Sequence, residues 1–498
     1  MLARMQEGSL LAAVDLGSNS FRLEIGRMEF GQLRRVEYLK ETVRQGNGLD
    51  EARNLTQEAM ERGWACLARF AERLAGFAPA QVRAVATQTL REARNREVFL
   101  ARARQILGFA IDVISGREEA RLIYQGVAHL LPQSAERRLV VDIGGRSTEL
   151  ILGQQYAAEV TESYRVGSVA WSMKFFPEGQ FSAAAFERAS VAAQAVLDEA
   201  LSVYPRDRWD VAYGSAGTIG AVADILAASG MGQGVVTRQS LQWLESQLLQ
   251  ARSADRVRLP GLKDDRRPVI GGGLSVLRAV FELLQIETMQ TAQGALRHGV
   301  LYDMLDREHA DTDMRTSTIE RLASKFETDA AQGARVGRVA GLLFATLCTG
   351  CSEHERQVRE RELAWAAQLH EIGTLISHSD AHKHGAYILD HADAPGFAQN
   401  ELHRLGLLVL GHRGKLRKLE ADFSDTVFLQ QLACLRLAVI LCHARREPQL
   451  QGLVVSGVGQ AISLTLPADW AQAYPQSAHL LREEVVAWQK TPWSFALH

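Results

Sequence analysis

The sequence predicts an α/β fold made of two duplicated halves around a cleft, followed by an all-helical domain and a small C-terminal α/β segment. Three observations predict it. Strand-hairpin patterns give way to alternating strand and helix patterns, and this happens twice. The stretch Asp15-Leu-Gly-Ser-Asn-Ser-Phe-Arg-Leu23 returns as Asp142-Ile-Gly-Gly-Arg-Ser-Thr-Glu-Leu150, with Asp, Gly, Ser and Leu at the same offsets. Strand signals stop near Leu305, and amphipathic helical periodicity dominates from Thr318 to His443.

In chain order, Leu11–Leu16, Phe21–Met28 and Leu33–Leu39 read as strands, with Gly17-Ser-Asn19 and Phe30-Gly-Gln32 as turns. A helix over about Thr56–Leu74 precedes a strand at Val82–Ala86. A helix at Arg96–Leu107, a strand at Ile111–Ile114 and a helix at Arg117–Leu130 complete the first half. The second half restarts with strands Leu139–Ile143 and Thr148–Leu152, continues through Val211–Ala216 and reaches Leu301. Gly452–Pro467 alternates as two short strands, with a final helix after it. These breaks divide the chain into 1–126, 127–304, 305–448 and 449–498.

Bulk properties bound the function. A chain of 498 residues exceeds one core, since cores stop growing near about 250–300 residues. The 47% apolar and 23% charged fractions are those of an ordinary globular protein. No apolar run reaches about 18 residues, so no integral membrane segment is expected. Met1–Gly8 lacks a signal core, and five scattered cysteines form no disulfide framework, so a cytoplasmic location is expected. Cys348-Thr-Gly-Cys351 lacks a matching pair and reads as buried thiols in a helix. A net charge of −2 supplies no general field for nucleic acid, although a local basic groove can still take a polyanion.

The chemistry concentrates in the loops. In Asp15-Leu-Gly-Ser-Asn-Ser20, Gly17 permits a sharp turn that points successive N–H groups at one anion, and Ser18, Asn19 and Ser20 add short donors. Asp15 at the strand end would repel phosphate unless Mg²⁺ or an ordered water lies between. One copy also fits an ordinary polar hairpin; two copies favour the anion site. The second loop, with Gly144, Gly145, Arg146 and Ser147, is flanked by Asp142 and Glu149 on adjacent antiparallel strands. Both carboxylates can approach one metal or one water, and oxygen ligands of this kind suit Mg²⁺. Ser115 and Glu118 have capping-box spacing, which leaves Glu119 free to orient and deprotonate a water from the first helical turn. Gly214-Ser-Ala-Gly-Thr-Ile-Gly220 joins a strand to a helix, an anion or nucleotide site by geometry, with Ser215 or Thr218 as its cap.

These loops, with Ser-Gly-x-Glu-Glu at 115–119, Thr89-Leu-Arg-Glu, Gly214-Ser-Ala-Gly-Thr and Gly294-Ala-Leu-Arg-His-Gly, resemble the exopolyphosphatase/guanosine pentaphosphate phosphohydrolase family. The likeness covers nearly the whole chain and is to the long, four-domain form. It implies two actin/hexokinase-like (ribonuclease H-like) domains, an HD-like helical domain and a small C-terminal domain. By resemblance, Glu119 would be the base that activates water. Asp142 and Glu149, with Asp15, would hold Mg²⁺, and a monovalent cation such as K⁺ is an optional companion. The backbones of Gly17–Asn19 and Gly144–Ser147 would cradle the terminal phosphates, with Gly214, Ser215, Gly217 and Thr218 beside them. Arg91 would neutralise phosphate charge. Such a site needs positioning and charge neutralisation more than covalent chemistry.

The leading expectation is therefore a Mg²⁺-dependent hydrolase releasing terminal orthophosphate from inorganic polyphosphate. The alternatives are the same chemistry on guanosine pentaphosphate, a kinase of the same superfamily, or a catalytically weakened nucleotide sensor. A homodimer is expected by analogy, and nucleic acid is not an expected partner.

Two departures stand out: Arg146 where the family has a small residue, able to clamp phosphate or block the loop, and His298 where it commonly has Glu. In the helical domain seven of the fourteen histidines lie between His370 and His412. His370, His378, His382, His384 and His403 could build a metal site, but Glu371 replaces the Asp of an HD pair and lengthens that ligand. The preferred expectation is a scaffold whose histidines, Arg413 and Lys415 line a basic route for a long polyanion.

Overall fold

The computed structural model describes residues 8–29, 32–232, 234–309, 311–348, 352–419 and 423–498. The chain folds as two compact units, one ending at Thr312 and one starting at Asp313.

The first unit holds two sheets of matching topology. The first contains β1 (Leu10–Leu16), β2 (Ser20–Glu29), β3 (Gln32–Thr42), β4 (Val82–Ala86) and β5 (Ile111–Val113), in the order β3-β2-β1-β4-β5. The second contains β6 (Arg137–Ile143), β7 (Thr148–Gln154), β8 (Ala157–Tyr164), β9 (Val211–Ser215), β10 (Val235–Thr237) and β11 (Thr288–Thr291), in the order β10-β11-β9-β6-β7-β8. In each, an antiparallel meander leads into parallel strands: β1 pairs β4 as β6 pairs β9. The second adds β10, antiparallel at the edge. β1 reads as a nearly continuous apolar run because both of its faces are buried.

The helix Gly116–Leu130 fixes the site's geometry. It is buried along most of its length and packs on β7, β8 and the helix Leu296–Asp306. The two helices approach so closely that a Cβ on Gly299 would lie 1.7 Å from the Leu122 carbonyl oxygen. The contact is locked by charge. Arg121 binds Glu118 through two 2.8 Å hydrogen bonds and also binds Asp303, which in turn takes Arg83 and Arg307. Ser115 Oγ accepts from the Glu118 N–H at 3.1 Å, but the Glu118 carboxylate goes to Arg121 instead of returning to the cap.

The second unit is helical, with long helices at Ala330–Leu347, Glu353–Leu369, Gln399–Gly411 and Thr426–Leu441. Its small sheet has β12 (Val454–Val458) antiparallel to β13 (Ala461–Thr465) and β14 (Ser494–Leu497) parallel to β13. One apolar core runs from Ile319 in the helices to Phe495 in the sheet. Cys348 is disulfide-bonded, not the thiol expected from sequence, and the rest of that Cys-x-x-Cys lies outside the described residues. Among the described residues no helix is long and apolar enough to cross a membrane.

Candidate active site

The two repeated loops face one cleft of about 400 Å³ in the first unit. Asp15, Gly17, Ser18, Asn19 and Ser20 line it from the first loop, and Asp142, Gly144, Gly145 and Ser147 from the second. Both loops are held from behind. The carbonyls of Ser18 and Asn19 accept from the N–H groups of Gly46 and Arg44 at 2.8 and 2.9 Å. Those of Gly144 and Gly145 accept from Ser168 and Val169 at 2.9 and 2.8 Å. Each loop thus has these acceptors tied back; the Gly144 amide is spent on the Ser147 carbonyl at 2.9 Å, and the other loop amides are the donors for an anion. Thr89 Oγ1 donates to Ser18 Oγ at 2.8 Å and braces the first loop.

Glu119 lies on the first turn of the Gly116–Leu130 helix and lines the same cleft. Arg91 does not line it. Arg91 Nη1 sits 2.7 Å from Glu119 Oε2 and 2.9 Å from the Ile114 carbonyl, and Gln88 takes the rest of the guanidinium. The arginine holds the acid in place of the phosphate contact expected from the resemblance. Burial pushes the Glu119 carboxyl above its ordinary range, against the pull of Arg91. Burial, then the charge of Glu119, pushes Asp142 up to about 7. Glu149 is raised by burial and then by the charges of Glu119 and Asp142.

Asp142 and Glu149 pair directly across β6 and β7, as the sequence predicts. Only Asp142 lines the cleft; Glu149 Oε1 accepts from Ser163 Oγ at 2.7 Å. Asp15 is ion-paired with Arg22 at 3.0 Å. Among the described residues no group of three or more His, Cys, Asp or Glu is placed to hold a metal ion, so Asp15, Asp142 and Glu149 form no closed cage.

The third loop divides. Gly217 and Thr218 line the cleft, whereas Gly214 and Ser215 do not. Neither Ser215 nor Thr218 caps the Ala216–Ala228 helix: Ser215 Oγ donates to the Gly294 carbonyl and Thr218 Oγ1 to the Ile143 carbonyl, both at 2.8 Å. Arg146 is also turned away, neither clamping nor blocking the loop. Its guanidinium is held by Glu92 at 2.9 Å and by the Gly46 carbonyl at 3.1 Å. His298 Nε2 meets Glu24 Oε1 at 3.1 Å. Against the upward push of burial, His298 and Arg297 hold Glu24 down to about 2.

Sequence reasoning missed the cleft's basic wall. Arg22, Lys40, Lys263, Arg266 and Arg297 line it together with Tyr38. Arg266 is only 8% exposed, and its nearest acid is Asp265 at 3.7 Å, an oxygen already taken by Lys40 at 2.7 Å. A Cβ on Gly217 would lie 2.3 Å from Arg266 Nη2, so the guanidinium rests on the first turn of the Ala216–Ala228 helix. A buried cation against the positive end of a helix is repulsive until an anion sits between them. Burial and the charge of Arg22 both push the Arg266 pKa down, the same frustration seen from the side chain. Two of the wall's cations had a local signal: Arg22 lies two residues past the first loop, and Arg297 lies inside Gly294-Ala-Leu-Arg-His-Gly.

Comparison with known proteins fits this geometry. A family model described as the Ppx/GppA phosphatase family matches residues 25–308, and one described as Ppx/GppA phosphatase, domain III, matches residues 314–485. A Vibrio cholerae protein named guanosine-5′-triphosphate,3′-diphosphate pyrophosphatase is 41% identical over 469 residues, 94% of this chain and 93% of its own. A protein of the same name from Pseudoalteromonas translucida is 38% identical over 496 residues, 98% of each chain. The solved Aquifex aeolicus PPX-GPPA enzyme aligns with a TM-score of 0.50 and 26% identity, covering 59% of this chain and 98% of its own. A solved exopolyphosphatase-like protein aligns with a TM-score of 0.54 and 25% identity, covering 61% and 98%.

Proposed function

The chain belongs to the Ppx/GppA phosphatase family, and from that premise we propose that it removes the terminal phosphate from the 5′ arm of guanosine 5′-triphosphate 3′-diphosphate. The observation that carries this reading is the lining of the cleft: the paired phosphate loops, the carboxylates Asp15, Glu119 and Asp142, five basic side chains and Tyr38 all face one cavity. A nucleotide with two phosphate arms and an aromatic base uses all of these groups. Relatives about as long as this chain bear the corresponding name.

In this reading the loop amides bind the terminal phosphate and orient it for in-line attack. Glu119 accepts a proton from water as the water oxygen bonds to phosphorus and the bridging P–O bond breaks. The leaving diphosphate oxygen carries away the electron pair. Burial suits Glu119 to this task, because a base works best with a pKa raised toward the working pH. Arg91 is a positioning residue that keeps the carboxylate ionised and aimed. Arg22, Lys40 and Arg266 neutralise the second phosphate arm. Mg²⁺ uses one or two carboxylates together with substrate oxygens; Asp142, which lines the cleft, would hold it, with Glu149 paired to it across β6 and β7, and it would neutralise phosphate charge.

A second reading, terminal hydrolysis of inorganic polyphosphate, is favoured by the loops alone, since they address phosphate and nothing else. The sensor reading rested on Arg146 and loses its motive, because that side chain is turned to Glu92. Phosphate release with Mg²⁺ from guanosine pentaphosphate, long polyphosphate and ATP, measured side by side, separates these readings. We expect kcat/KM on guanosine pentaphosphate to lead by about tenfold or more. A lead for long polyphosphate gives the second reading, and release from none of the three overturns both.

A further inference from the structure

A separate cavity of about 670 Å³ lies in the C-terminal unit, and none of its lining residues belongs to the cleft. Its volume falls in the range of small-molecule sites, roughly 300–1,000 Å³. His370 and His412 stand in its wall, only 4% and 5% exposed, with ring centroids 5.5 Å apart. The Nδ1 atom of each lies 2.6 Å from a backbone carbonyl, that of Ala367 for His370 and Val409 for His412. A carbonyl only accepts, so Nδ1 carries the proton and donates. Nε2 is then the one polar ring atom left for the cavity.

The rest of the lining mixes cations, an apolar part and three carboxylates, of which Glu371 and Glu484 are ion-paired and Glu483 is exposed. Lys415, Arg417 and Lys490 are exposed at the rim and have no ion-pair partner among the described residues. Two other cations of the wall are committed: Arg436 to Glu484 and the Gly411 carbonyl, Arg445 to Asp329 and Glu371. The lining also has an apolar part, where Val439 and Ile440 of the Thr426–Leu441 helix join Leu480 and Val486 of the helix Pro475–Trp488. Val486 is 53% exposed although it lines the cavity, an apolar surface left for something to cover.

We propose that this cavity binds a small phosphate monoester carrying a flat aromatic ring, a mononucleotide in size and character. The phosphate sits between the two imidazoles and the lysine rim, and the ring lies on the Val439–Val486 wall. A monoester has a second pKa of about 6, so near neutrality it offers both an O–H for an Nε2 lone pair and charged oxygens for the rim. A bare polyphosphate chain would use the rim and leave the apolar wall exposed; His370, His378, His412, Arg413 and Lys415, expected from sequence to line a basic route, line this cavity. The five histidines expected as possible metal ligands do not gather: among the described residues no group of three or more is placed to hold an ion. The inference does not depend on the hydrolase reading.

Isothermal titration of the full-length protein with adenosine monophosphate tests it. Wild type should bind the probe, and Lys415→Glu with Lys490→Glu should weaken binding about tenfold or more. Both lysines are exposed, so a matching melting temperature separates lost binding from lost folding. Val486→Asp should weaken binding as well, inorganic phosphate should bind about tenfold more weakly than the nucleotide, and Arg266→Ala in the cleft should leave a site for the probe that Lys415→Glu with Lys490→Glu removes. The proposal is overturned if wild type shows no binding, if the double lysine variant binds normally, if Arg266→Ala abolishes binding, or if long polyphosphate binds more tightly and displaces the probe.

Discussion

Asp142 shows how the cleft stores its reactivity. Its carboxyl rises from 3.8 to about 7 because burial and the charge of Glu119 both oppose ionisation. A folded pKa above the unfolded one contributes stability that is present below about 3.9 and is lost as pH rises through 7. Asp142→Asn keeps the shape and removes the charge. It should therefore stabilise the substrate-free protein at pH 8, by on the order of 2–4 kcal/mol, and by less at pH 5, while phosphate release falls. Urea denaturation at both pH values checks this; an unchanged or lower stability at pH 8 contradicts the electrostatic account. The places of Asp15, Asp142 and Glu119 at the cleft were legible in the sequence because each sits within a few residues of a glycine turn or helix start; Glu149 pairs with Asp142 as expected but does not line the cleft. Arg266 and Tyr38 were not. They come from segments more than 200 residues apart and meet only through the packing of the two sheets. Arg146 was legible as an anomaly, yet its partner Glu92 lies 54 residues away and no local rule names it.

The helix Gly116–Leu130 is the element on which the site depends. Its first turn carries two adjacent glutamates, separated by about 100° of rotation. Glu119 faces the cleft, while Glu118 is fully buried in the network of Arg121 and Asp303 that joins this helix to Leu296–Asp306. Sequence spacing assigned Glu118 a cap; the structure gives it a buried ion pair, whose loss costs more than a cap. Glu118→Ala should lower stability by about 3–5 kcal/mol, the usual result when one partner of a buried pair is removed. Calorimetry should show the loss, and a change typical of a lost cap, about 1 kcal/mol, would contradict the network's importance. The elements missed from sequence have physical reasons. β8 and β14 lie at sheet edges, where partial burial weakens the alternation of apolar residues. The glycines at 271–273, read from sequence as a helix entry, form the first turn of the helix Ile270–Leu283, where a Cβ on Gly272 would be 2.4 Å from the Ser172 amide nitrogen. The packing demands glycine there, and a glycine run carries no helical signal of its own.

At the scale of the molecule, each unit has its own apolar interior, and the change of hydrophobic period near residue 305 announced the passage from sheets to helices. The duplication was legible because both copies kept the same short loop chemistry. That the small C-terminal sheet shares a core with the helices was not, since Val455, Ile462 and Phe495 pack with residues far away in the chain. The central claim is that the first unit hydrolyses a terminal phosphoanhydride with Glu119 as base. Single-turnover phosphate release from guanosine pentaphosphate by Glu119→Gln, with substrate binding measured in parallel, tests it most directly. The expected rate is lower by roughly 10²- to 10⁴-fold, with binding retained and the fold no less stable than wild type; a Glu119→Gln protein that releases phosphate at the wild-type rate would contradict the claim.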